Sequence, residues 1–499
     1  MVSTYHNDNA RTGANITETL LTPANVNPVL FGKRAAITVA GDIFAQPLYI
    51  PAIVTAEGSL HNLIIVATEH DQVYAIDADS HNIVWHADFL DSAAGVSTLQ
   101  TTDVNCSAIA PEIGITGTPV IDTSSSTIYV VARTKETQSG EPVFYQRLHA
   151  LDLKTGLDKV APTTITTPPD PTGQFGVARF DPLLNNQRAA LLLVNGQVYV
   201  AWASHCDLGN YQGWLMAFDA GTLQVTAAWT PEPSGDFGGI WMAGGGPASD
   251  SSGDVYLAVG NGYSDAMLGE SDYGDSVVRL HTSNNLISTA DYFTPYNWQT
   301  LYTEDHDLGS GGAILLPERS GSAHPRLLTV AGKDGKVYLL DRDSLGQSRP
   351  DNDSQIVQSF QSDAQASLCT PVFWNNNFYF GWMLGPLEAF RYDPVRQQID
   401  TTPTSTTGSF NMGYPGATVS LSADGVRNGI VWFVRNDGEY SDLRAYDATN
   451  LNLELYSSEM SPGRDRSGPS VIFGVPTVVD GWVLVGGRGE LDVYGLLSR

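Results

Sequence analysis

The chain has 499 residues, of which 42% are hydrophobic and 10% aromatic, with 49 Gly and 27 Pro. That balance fits many short strands and tight turns rather than long helices. Twenty-six basic against 54 acidic residues give a formal charge of -28, which repels a polyphosphate backbone and excludes nucleic acid as a partner. No run of 18 apolar residues occurs, so a membrane span is excluded too.

In chain order, the first clear unit begins at Gln46-Pro47-Leu48-Tyr49-Ile50 and continues through Leu63–Ala67, Val73–Asp77 and Ile83-Val84-Trp85. Four short strands separated by turns make one antiparallel sheet of the kind stacked radially in a propeller. The text returns at Gly117–Asp122, Ile128–Val131 and Leu148–Asp152, and again at Leu191–Val194, Val198–Val200 and Leu215–Asp219. Later first strands begin near Gly246, Gly312, Thr370, Gly416 and Val475. Eight first strands predict an all-β propeller of eight four-stranded blades, with seven as the alternative, in one domain over 1–499. The last copy ends at Tyr494 one strand short, and Leu30 to Val39 is the segment that can fill the vacancy and close the ring.

The three cysteines, Cys106, Cys206 and Cys369, allow at most one disulfide and no framework. The chain opens on polar sequence without the apolar core of a signal peptide, which suits either a cytosolic protein or one whose signal has been removed. Sequons at Asn15, Asn105 and Asn352, few lysines and an acidic surface favour a secreted monomer.

In a propeller, the turn from second to third strand and the connection into the next blade open on one face around the axis. The first set of positions offers Glu69-His70-Asp71, His205-Cys206-Asp207 with Tyr211, Asn261, Lys333 and Arg435; the second offers Asp103 to Glu112, Arg188, Trp241, Asp305-His306-Asp307 and Tyr414. Arg147 starts a third strand and His86 lies near the end of a fourth, so both are placed at the same rim. Asp305-His306-Asp307 could hold Ca²⁺ but lacks a ligand-rich loop and reads better as a solvated acidic turn. His205-Cys206 has no neighbours to complete a zinc site. Gly244-Gly245-Gly246 and Gly309 to Gly312 lack the Lys-Ser/Thr of a phosphate loop and read as tight turns crowding the axis.

Tyr74-Ala75-Ile76-Asp77-Ala78-Asp79 followed by Trp85 resembles the repeat of quinoprotein-type propellers, in which a tryptophan of one blade docks on the next. In that family a pair of adjacent half-cystines lies beside the quinone, and Glu, Asn and Asp bind calcium. This chain has no adjacent Cys pair. The stretches Tyr5 to Gly13, Ala67 to Asp71, Ser204 to Asp207, Asp307 to Gly312 and Gly332 to Lys336 resemble secreted quinoprotein-like proteins, and within them the fungal lyases that release L-rhamnose from glucuronate in gum arabic. That resemblance implies an acidic glycan substrate, β-elimination and no redox cofactor. Such a reaction needs a base for the proton at C5, a cation for the carboxylate and an acid for the leaving oxygen. His70, His86 or His205 is the expected base or acid, Arg147 or Arg188 the carboxylate clamp, and Tyr211 the proton donor. The bland readings are backbone-satisfying histidines, arginines bridging blades, and a packing tyrosine. His149, inside an alternating strand, is expected between sheets. A quinone-dependent sugar dehydrogenase and a non-catalytic binding or scaffold propeller are the rival functions.

Overall fold

The computed structural model describes residues 1–497 apart from 171, 365, 437 and 438. Its strands assemble into eight radial sheets in chain order, and these are the eight blades. The first strands are Leu48–Val54, Val120–Asp122, Leu192–Val194, Ala248–Ser249, Ile314–Leu315, Val372–Trp374, Ser420–Asp424 and Thr477–Val479. Second strands such as Leu60–Thr68 and Gln197–Ser204 are apolar and almost wholly buried, because neighbouring sheets cover both of their faces. Trp85 joins the first two blades: its indole N–H donates to the Leu153 carbonyl at 3.1 Å, and a side chain at Gly156 would meet its ring at 2.5 Å. His149 lies buried between the same two sheets, with its ring 4.2 Å from that of Phe89.

Two devices close the ring. Phe31–Asp42 pairs antiparallel with Arg488–Leu496, in a register running from Phe31 opposite Leu496 to Asp42 opposite Arg488. This supplies the outer strand of the eighth blade; it starts one residue later and ends three residues later than the Leu30 to Val39 segment expected. The second device is residues 2–15, which run around the axis and touch every blade in turn. Val2 exchanges two backbone hydrogen bonds with Tyr49, and the carbonyls of Ser3, Asn9, Ala10, Thr12 and Gly13 accept from Ile121, Ser249, Leu315, Phe373 and Leu421. The amides of Asn9 and Asn15 donate to Leu193 and Val478. Blades 1 to 8 are thereby each tied to one girdle. Its use of Asn15 commits that sequon's amide, whereas Asn105 and Asn352 are exposed.

Arg11 organises the girdle. It is fully buried, and its guanidinium donates to Thr4 Oγ1 and to the carbonyls of Tyr5, Leu191 and Pro247 at 2.7 to 3.2 Å. Gly246 leaves room for it: a Cβ there would stand 2.7 Å from Nη2. Arg11→Met removes these charged donors while leaving the carbonyls buried, so a loss of at least about 3 kcal/mol is expected. Thermal unfolding measures it, and an unchanged melting temperature would deny the girdle its role.

Candidate functional site

A cavity of about 250 Å³ opens on the axis at the face where second strands turn into third strands. In the girdle, Tyr5 packs with Ala190 and Val475 and bonds Thr370. The cavity wall gathers Arg188, His205, Asp207, Trp241, Asp307, Lys333 and Tyr414, with apolar cover from Phe44 and Phe473. All seven polar or aromatic wall residues sit at positions the repeat places on the rim.

Arg188 enters on the connection into the third blade and is buried. Its guanidinium carbon lies 5.3 Å from the centre of the Phe473 ring and 5.9 Å from that of Phe44. A Cβ at Gly244, whose φ is +85°, would meet its Nη1 at 2.4 Å, so only glycine leaves space for it there. Nη2 has no hydrogen-bond partner, and among the described residues no carboxylate reaches ion-pair distance. Burial lowers its pKa, with Tyr5 and Glu69 opposing from a distance. A buried cation without a counter-ion is costly, and the cost is recovered when an anion binds.

His205 accepts a hydrogen bond from Arg133 Nη1 at 2.8 Å on Nε2. Because a guanidinium only donates, the neutral ring must carry its proton on Nδ1. Burial first, and Arg133 second, push its pKa well below the ordinary value. His205 is therefore a neutral ring that carries its proton on Nδ1. Asp207 is the neighbouring acceptor, raised above the usual carboxylate range chiefly by burial. Tyr211 lies behind it, donating to Oδ1 at 2.5 Å from a ring that is itself buried. That hydroxyl is engaged with Asp207.

The remaining candidates lie outside the wall. His70 donates from Nδ1 to Glu112 at 2.9 Å on the outer rim. His86 stands on the outermost strand of the first blade, paired with Tyr74 and stacked on its ring at 5.7 Å, too far out along the blade to share the axial rim expected for it. Arg147 is held by Glu136 at 2.6 Å on the adjacent strand of its own blade. The acidic turn is also different from expectation: Asp307 is buried, with Lys333 Nζ 2.5 Å from Oδ2 and the Asn261 amide 2.8 Å from Oδ1.

Cys106 and Cys206 form a disulfide in the cavity wall, 100 residues apart in sequence, and Cys369 is free and buried. The bond fastens the connection leaving the first blade to the turn carrying His205 and Asp207. Cys206 and Asp207 both hold left-handed backbone, φ 53° and 52°, a conformation that disfavours non-glycine residues and persists only where surroundings enforce it.

No family model matches the chain, and a search of curated proteins finds no relative. Solved structures do match. The quinohemoprotein alcohol dehydrogenase ADHIIG of Pseudomonas putida is similar over 99% of this chain and 80% of its own, with TM-score 0.62 and 15% identity. That of Comamonas testosteroni covers 100% and 81% with TM-score 0.60 and 15% identity. A europium-containing methanol dehydrogenase covers 99% and 98% with TM-score 0.61 and 12% identity. The fold is the quinoprotein-type propeller. At these identities the likeness carries the fold and not the chemistry.

The fold raises the matter of a quinone with its metal, and the residues do not fit that pair. The wall's carboxylates are Asp207 and Asp307; Tyr211 bonds the first, and an ammonium already occupies the second. The disulfide joins distant cysteines rather than adjacent ones. Among the described residues no cluster of three or more acidic, His or Cys side chains is arranged for a metal.

Two expectations follow. Reducing the disulfide, or replacing both cysteines by alanine, releases the His205–Asp207 turn and a loop of about 100 residues; a loss near 4 kcal/mol is expected, read as a lower melting temperature in reductant. Glu69, fully buried, has its pKa raised from 4.5 to about 7, mainly by burial and against hydrogen bonds from Gly114 and Thr116. Its folded form holds the proton more tightly than the unfolded chain, so its contribution is complete below pH 4.5 and is lost as pH rises through 7. Glu69→Gln should leave stability unchanged near pH 4 and raise it at pH 8, and equal effects at both would refute the assignment.

Proposed function

We propose that the protein is a secreted polysaccharide lyase acting on glucuronate-bearing glycans, releasing a terminal sugar such as L-rhamnose by β-elimination. The observation that carries the reading is the unpaired, buried Arg188 at the cavity wall, a cation set for the carboxylate of a substrate. In this reading Arg188 neutralises the uronate and acidifies C5–H. Asp207, its pKa raised, takes that proton as the C4–O bond breaks and the C4–C5 double bond forms, then returns it to the departing oxygen. The neutral His205 supports that oxygen through Nδ1–H. The disulfide and the exposed sequons at Asn105 and Asn352 accord with secretion.

The likeness to alcohol and methanol dehydrogenases favours a second reading, quinone-dependent oxidation, and the comparisons lend their weight to it. Against it stand the charges of the cavity, where the Lys333 ammonium already neutralises Asp307.

Incubation with gum arabic should raise the ultraviolet absorbance of an unsaturated uronate and free rhamnose. Arg188→Ala should lower kcat/KM by roughly 10²- to 10³-fold with little change in melting temperature. No absorbance and no rhamnose would reject the lyase; dye reduction with an alcohol after adding quinone and Ca²⁺ would install the dehydrogenase.

A further inference from the structure

Beside the cavity mouth, blades 4 and 5 present an uncovered aromatic shelf. Tyr263 is 49% exposed and Tyr302 37%, and Met267 and Leu268 next to them are exposed as well. Both tyrosines are braced from behind: Tyr263 stands edge-on to Trp298 at 5.3 Å, and Tyr302 lies 6.2 Å from Phe237. Exposed aromatic and apolar side chains grouped in this way, with their rings packed on a second aromatic layer, offer flat faces for contact.

The shelf is continuous with the cavity. Phe237 packs on Tyr211 at 5.5 Å, and Tyr211 holds Asp207 in the wall. The helix Trp298–Glu304 that carries Tyr302 runs into Asp305, which accepts from Asn261 and from the wall residue Lys333. Its border is acidic, with Asp265 and Glu270 flanking Met267 and Leu268, and Glu304 and Asp305 following Tyr302. An anionic sugar is repelled there. A neutral sugar meets flat ring faces for its C–H surface and carboxylate acceptors for its hydroxyls.

We propose that Tyr302 and Tyr263 form a subsite for the neutral sugars of the glycan whose uronate end lies in the Arg188 cavity. This rests on the cavity being a uronate site, and the two parts separate in one experiment. Affinity electrophoresis is run through gels carrying native gum arabic or gum arabic whose carboxyls have been reduced to alcohols. The wild-type protein should be retarded in both. Tyr302→Ala with Tyr263→Ala should weaken binding to both gums about tenfold, the loss of one or two stacking contacts, while Tyr302→Trp restores it. Arg188→Ala should weaken binding to native gum alone. Equal retardation of the wild type and the double tyrosine variant, or no retardation by the reduced gum, overturns the shelf. Unaltered binding of Arg188→Ala to native gum overturns the uronate reading and leaves the shelf standing.

Discussion

A ring of eight sheets has no centre of its own; every first strand points an unsatisfied edge at the axis, and something must occupy it. Here the occupant is the amino-terminal segment, which makes at least one hydrogen bond to each blade in sequential order and is pinned by the buried Arg11. The rest depends on that contact. It ties the first strands of all eight blades to one segment of chain.

Above the girdle, charge does the selecting. On a chain of formal charge -28, the cations are mostly consumed by carboxylates: Lys333 by two aspartates, Arg147 by Glu136, Arg342 by Asp250. Arg188 is the exception inside the cavity, and its isolation is built by glycine and phenylalanine neighbours that give it space and exclude water. Arg133 works at one remove, fixing the proton of His205 and so assigning that ring the task of donor. Global charge disfavours polyanions at the surface in general, while one desolvated guanidinium makes the cavity locally positive.

Much of this was legible in the sequence for a definite reason. Strand texts such as Val73 to Asp77 and Leu215 to Asp219 alternate and repeat, and repetition fixes which turn faces the axis; Arg188, His205, Trp241, Lys333 and Tyr414 follow from that alone. His86 misled because position along a strand says nothing of how far out in the blade the strand lies. The girdle was hidden since Tyr5 to Gly13 has no apolar period, and its partners stand up to 463 residues away. Three cysteines could not declare their pairing, and the raised pKa of Asp207 comes from burial, which the sequence does not display. Arg133 left one faint sign, a charge at the end of an apolar second strand, where Glu69 and His205 also lie.

The strand that completes the eighth blade has a consequence for biosynthesis. Phe31–Asp42 leaves the ribosome among the first segments, yet its partner Arg488–Leu496 is among the last. Vectorial synthesis therefore yields an open spiral with two bare sheet edges for nearly the whole of translation, and the girdle cannot be fully engaged until every blade exists. Such a chain is exposed to misassociation while incomplete, and its cooperative unit is the entire ring rather than any smaller run of blades. Fragments that end before the last strand should accordingly behave as chaperone clients, not as small propellers.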